Sequence, residues 1–461
     1  MGALMAAARV AVLVALVLAG LIPGAVAAAD DVTFGRPTAT SAFETGVGFA
    51  QPVTVTGAIE RVELLLTTAD AIGPHVLELP VPSGAGPTTL RATLDPAVDG
   101  HLLPNTPMAA RWRVTLADGR TVVGPSVAVT YRDDRFDWRT VEGDVVRVHW
   151  YEGGTAFGER ALRIGEEAVR ETTDLLGVRE TEPVDFFIYA DQQAFYDALG
   201  PGARENVGGQ ANAGIRTLFA LIGPGSIDDP WVSIVVPHEL VHLVFDTAAD
   251  NPYHFPPRWL NEGLATYLSE GYSPASRRDV ERAARAGELI PLEGLGGQFP
   301  TTADRFFLAY AESVSAVDYL IRTHGEDALV ALIRSYADGR TDDEAFQAAV
   351  GSDLAGFDAA WLADLTAEPP VRHGPQPAPA GPVPAEWSAS PGASPPTGPT
   401  AAPSAVPPTA GPVSPGGGTD GPAGIELAVA VGLVLVAGVA AVIVWRRRSA
   451  GARSPRGGPW T

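Results

Sequence analysis

The sequence contains no cysteine, which excludes both disulfide bonds and thiol chemistry. Basic residues are scarce: 32 Arg and Lys stand against 54 Asp and Glu, and the resulting net charge of −22 argues against nucleic acid as a partner. Long apolar runs are scarce too. Leu427 to Trp445 runs for 19 residues without a charge, close to the roughly 20 that a bilayer crossing needs. The other long run, Val10 to Ile22, is too short for a span. The 461 residues suggest two or three domains.

The two ends of the chain read as targeting and anchoring segments. Residues 1–29 have the layout of an export signal: Arg9, the apolar run, the helix-breaking Pro23-Gly24, and the small residues Ala25 to Ala29 suited to cleavage. An uncleaved anchor is the alternative. Export without cysteine suits a bacterial envelope protein. Residues 369–424 form a linker in which 17 of 56 positions are proline, so this segment cannot bury a core. As extended polyproline, at about 3.1 Å per residue, it could reach roughly 170 Å, the dimensions of a stalk. A transmembrane helix is expected over 425–445. Arg446-Arg447-Arg448 directly after it place the tail, 446–461, in the cytoplasm. The expectation is a single-pass cell-membrane protein with everything from Asp30 to Gly424 outside.

Residues 30–131 read as β structure. Short alternating runs (Pro52 to Thr56, Val62 to Thr67, Val76 to Leu79, Arg111 to Leu116, Val127 to Tyr131) are separated by turns, with a hairpin signal at Asp118-Gly119. This spacing predicts an all-β immunoglobulin-like sandwich. His75 and His101 are isolated and read as structural or solvated. The pattern changes over 132–368, the second expected domain. Val145 to Tyr151 reads as a strand, Phe157 to Leu176 as a helix, Val184 to Tyr189 as a strand, Gln192 to Leu199 as a short helix and Ile215 to Ile222 as a strand. Further helices, including Thr302 to Thr323, end near Thr366.

Within that domain lies the one stretch with metal-ligand residues at metal-ligand spacing. A proline at the first helical position predicts a helix starting at Pro237 and running through about Thr247. On it His238 and His242 share a face, so both imidazoles reach one tetrahedral ion while Glu239 points beside it toward a bound water. Pro256-Pro257 opens a second helix carrying Glu262 as the third ligand. His254, in the loop between, competes for that role. Asp246 is either a partner fixing a ligand's tautomer or a solvated residue, Asn261 and Thr266 flank Glu262 and are placed to orient it, and Trp259 and Tyr267 read as core aromatics.

His238-Glu239-Leu240-Val241-His242, followed by Asn261-Glu262-Gly263-Leu264-Ala265, resembles the gluzincin metallopeptidases and more closely the peptidase MA-like group. The resemblance implies an α+β zincin-like fold, a mixed sheet plus a helical subdomain. It also implies a zinc ion on His238, His242 and Glu262, with Glu239 as general base. Thermolysin-like members usually carry an acidic residue where Thr266 stands. Tyr310, within Phe307 to Ser313, resembles the aminopeptidase-type tyrosine set against the oxyanion; on an apolar helix face a core tyrosine is the plainer reading. In zincins an edge strand beside the cleft holds the substrate backbone, and Ala213 to Leu221 is the candidate here.

The expected function is a membrane-anchored extracellular zinc metallopeptidase acting on a peptide or surface protein, with Zn2+ as cofactor. The absence of a recognisable amine-binding motif tilts toward endopeptidase action. Two rivals remain: a non-catalytic zinc-binding or adhesin-like envelope protein, and a structural stalk protein without metal.

Overall fold

The computed structural model describes residues 31–69, 73–201, 208–251 and 254–370. The expected export signal, the stalk from residue 371 onward, the membrane span and the tail lie outside those residues. The described chain divides into two compact units, 31–168 with 180–236, and 169–179 with 237–370.

The first unit begins with two antiparallel sheets around one core. In one, β3 (Gly46–Val55) pairs with β6 (Gly86–Leu94) on one side and with β1 (Val32–Phe34) and β2 (Thr38–Ala42) on the other. In the second, β4 (Ile59–Thr68) lies between β5 (His75–Leu79) and β7 (Pro107–Leu116), and β7 also pairs with β8 (Thr121–Val123) and β9 (Val127–Thr130). Alternation builds the core: Val47, Phe49, Val53 and Val55 from β3 meet Val62, Leu64 and Leu66 from β4 and Trp112 and Val114 from β7. Pro52 is tolerated within β3 because its carbonyl, accepting from Gly35 N–H at 2.8 Å, marks the side on which β1 and β2 leave a gap. At the expected hairpin, Gly119 takes φ +86°, which favours glycine.

The unit continues as a five-stranded mixed sheet in the order β10 (Arg139–Glu142), β11 (Val146–Trp150), β12 (Val184–Tyr189), β14 (Thr217–Leu221), β13 (Gly209–Asn212). The three inner strands are parallel and buried, and Val184, Phe186 and Ile188 of β12 are almost wholly enclosed. Helix α1 (Thr155–Leu176) makes the right crossover length between β11 and β12, and α2 (Gln192–Leu199) follows β12, N-capped by Asp191. One sequence expectation needs correction. Thr217–Leu221 is not an edge strand but lies between β12 and β13, and Ala213 to Arg216 form the turn before it. The edge belongs to β13.

The second unit is helical. It holds α3 (Val232–Ala249) from Pro237 onward, α4 (Arg258–Glu270), α5 (Pro274–Ala286), a 3-10 turn at Leu292–Leu295, α6 (Ala303–His324), α7 (Glu326–Ala337), α8 (Asp342–Val350) and α9 (Leu354–Asp364). Here too an expectation is corrected: α3 begins at Val232, five residues before Pro237, so the proline lies inside the helix. Among the described residues α3 is the one helix long and apolar enough to cross a bilayer, yet 72% of it is buried inside the protein. Helices α4 and α6 approach closely at Gly263, where an added Cβ would lie 2.5 Å from the Ser313 carbonyl oxygen and 2.8 Å from Val317 Cγ2. Only glycine permits that approach. Trp259, fully buried, stacks on Phe357 at 6.1 Å between ring centres, as its expected core role requires.

Candidate metal centre

The i, i+4 spacing on α3 brings the rings of His238 and His242 to 5.0 Å between centres, and α4 carries Glu262 against them. Glu262 Oε2 lies 3.6 Å from His238 Nε2 and 3.7 Å from His242 Nε2. One ligand atom from each of the three residues falls within 4.8 Å of the others, and all three residues are buried. Among the described residues this is the one such group.

Two of the atoms that face one another lack hydrogen-bond partners. His242 Nε2 and Glu262 Oε2 are buried and unbonded, which is costly for polar atoms unless a further group binds between them. Separations near 3.6 Å are too long for hydrogen bonds and fit donors that converge on an ion. Two nitrogens and one carboxylate oxygen, with no other protein donor in the group, are the donor set of a catalytic zinc site with an open fourth position.

The electrostatics favour the metal-binding protonation states. Burial pushes His242 down to about 4, so its ring is neutral near pH 7. Its Nδ1 lies 2.7 Å from Asn261 Oδ1, which accepts the ring proton and leaves the Nε2 lone pair facing the other ligands. For Glu262, burial alone would raise the pKa, but His238, His242 and Arg258 outweigh it and hold the carboxyl below its ordinary range. Arg258 Nε donates to Glu262 Oε1 at 3.1 Å from one helical turn upstream.

Several expectations are thereby resolved. Asn261 orients His242 rather than Glu262 and takes the role considered for Asp246. Arg258, which sequence reading missed, holds the Glu262 carboxylate; its i, i+4 position on the same helix was the available signal. His254 is not brought to the centre. It stacks on Tyr336 at 5.5 Å and lies 3.9 Å from Asp342.

Glu239, fully buried on α3, adjoins His238. Tyr310 on α6 is buried, and its pKa is raised well above the ordinary phenol value, first by burial and then by the negative charges of Glu262 and Glu239. Its hydroxyl is buried and makes no hydrogen bond. Its ring packs edge-on against Phe299 at 5.2 Å.

No curated protein matches the sequence. Among solved structures, an M1 zinc metallopeptidase from Deinococcus radiodurans is 15% identical, covering 75% of this chain and 95% of its own, with a TM-score of 0.34. A two-domain M1 zinc metallopeptidase mutant bound to L-arginine is 14% identical over 74% and 95% of the two chains, with a TM-score of 0.36. A cycloalternan-degrading enzyme from Trueperella pyogenes is 16% identical over 23% of this chain and 12% of its own, with a TM-score of 0.14. Residues 165–367 match the family model of the Peptidase MA superfamily, a stretch that contains all three converging ligands. Over that stretch the chain is similar to the Peptidase MA superfamily, a likeness that supports a zinc metallopeptidase of gluzincin type.

Proposed function

We propose that this is a membrane-anchored extracellular peptidase in which His238, His242 and Glu262 hold the zinc ion, Glu239 is the general base and Tyr310 the oxyanion donor. The observation that carries the reading is the convergence of three buried ligand atoms within 4.8 Å, two of them without hydrogen-bond partners.

Bound there, zinc supplies Lewis acidity that brings the pKa of water down to about 7. Glu239, beside His238 on the same helix, takes a proton from the attacking water and passes it to the departing amine nitrogen. Tyr310 stays protonated because burial and the neighbouring carboxylates raise its pKa, so its hydroxyl donates to the oxygen that gains charge. Asn261 keeps His242 in the tautomer with Nε2 free.

The anchoring part of the proposal rests on sequence. The uncharged run Leu427 to Trp445 followed by Arg446-Arg447-Arg448 supports one C-terminal span with the metal centre outside, and residues 1–29 support export. The two antiparallel sheets of residues 31–131, around one core, suit an immunoglobulin-like module displayed ahead of the peptidase domain.

The test compares the parent with His242→Ala, Glu262→Ala and Glu239→Gln. About one zinc per chain in the parent, lost in the first two variants, is expected. Glu239→Gln keeps the zinc and loses hydrolysis of a quenched-fluorescent peptide mixture. Full hydrolysis by Glu239→Gln overturns the mechanism.

A further inference from the structure

The two oxygens of Glu262 are in different situations. Oε2 faces the imidazole nitrogens at 3.6 and 3.7 Å, whereas Oε1 accepts from Arg258 Nε at 3.1 Å. An exposed i, i+4 ion pair is held loosely by water and side-chain entropy. This pair is not exposed: the Glu262 side chain is 1% accessible and that of Arg258 19%.

Arg258 is itself fixed from two further directions. Its backbone N–H donates to the Gly296 carbonyl at 2.8 Å, tying the start of α4 to the 3-10 turn. Its guanidinium lies 4.7 Å from the centre of the Phe299 ring, which is 2% exposed, and Phe299 meets Tyr310 edge-on at 5.2 Å. One side chain thus links the third ligand to the aromatic wall that carries the tyrosine.

A carboxylate with both oxygens free can chelate an ion, and the second oxygen then occupies the position a catalytic site keeps open for water. The rigid, permanently charged fork of arginine prevents this by occupying Oε1 from a fixed direction, which the flexible ammonium of lysine cannot reproduce. We propose that Arg258 is a positioning residue that makes Glu262 a one-oxygen ligand and so keeps the fourth position of the metal open. The proposal rests on the reading of Glu262 as third ligand.

The experiment uses the full-length protein as parent, Arg258→Gln, Arg258→Lys and Glu262→Ala. Zinc affinity is measured by competition with a chromophoric chelator, and ligand geometry by the visible absorption of the cobalt(II)-substituted protein. Arg258→Gln is expected to weaken zinc binding by about 10- to 100-fold and to reduce the cobalt band intensity as coordination number rises. Arg258→Lys, which keeps a positive charge near the buried carboxylate, is expected to alter the cobalt band as well. If Arg258→Gln fails to fold, the lysine variant decides alone: an altered band supports the proposal and the parent band overturns it. Parent-like affinity and band in Arg258→Gln, with metal lost in Glu262→Ala, overturn the proposal while leaving the ligand assignment intact. Parent-like affinity in Glu262→Ala overturns the ligand assignment and the proposal with it.

Discussion

Asn261 Oδ1 lies 2.7 Å from His242 Nδ1, so the residue adjoining Glu262 on α4 orients the imidazole of His242 on α3. The two helices are therefore registered by a polar contact at the centre as well as by packing. Replacing Asn261 with Ala leaves a buried ring nitrogen without an acceptor and the ring free to turn. Zinc affinity, read by chelator competition, should fall by about 10- to 100-fold. Unchanged affinity would show that packing alone fixes the imidazole.

Gly263→Ala tests the contact between α4 and α6. The added methyl meets the Ser313 carbonyl oxygen at 2.5 Å, and backbone cannot step aside as a flexible side chain can. We expect destabilisation of about 1–3 kcal/mol in urea unfolding of the metal-free protein. A midpoint equal to the parent's would mean that the helices part without cost.

Tyr310→Phe separates the two readings of that residue. Loss of an oxyanion donor is expected to cut kcat about 100- to 1000-fold. Zinc content and unfolding midpoint should hold near the parent's, since the ring packing against Phe299 is kept. A variant with parent-like kcat assigns Tyr310 to the core.

The stability of the metal-free protein should depend on pH through His242. Its pKa is about 4 when folded, against 6.5 as the reference value for the unfolded chain. Between those values the unfolded chain binds more protons than the folded one, so stability rises with pH across that window and is lost as pH falls through it. Glu262, also held low when folded, adds loss in the same direction at the acid end. Urea unfolding at pH 7 and pH 5 should show a smaller decline for His242→Phe than for the parent; equal declines would remove His242 as the cause.

The cluster of His238, His242 and Glu262 was legible because metal-ligand chemistry imposes a spacing: two histidines one turn apart, and a glutamate on the next helix. Strand β12 and helix α2 were legible to the residue, since their apolar spacing coincides with the buried face. The start of α3 was not, because a helix buried nearly all round reads as a continuous apolar run, and Val232 to Val236 resembles a strand end. Strand β13 was missed for the opposite reason: Gly209-Gln210-Ala211-Asn212 has no β-branched or aromatic residue, and its pairing with β14 alone makes it a strand. Arg258 was missed because attention to ligand types passes over a cation, although a buried carboxylate ligand leaves one oxygen that needs a donor.

The proline within α3 has a dynamic consequence. Pro237 carries no amide proton, so the carbonyl four residues earlier, on Ser233, has no intrahelical donor at that point. The ladder of hydrogen bonds is interrupted immediately before His238. Fraying that starts among Val232 to Val236 therefore meets a break before it reaches the ligand-bearing turns, and in native-state hydrogen exchange the amides on the two sides of Pro237 should open as separate cooperative groups.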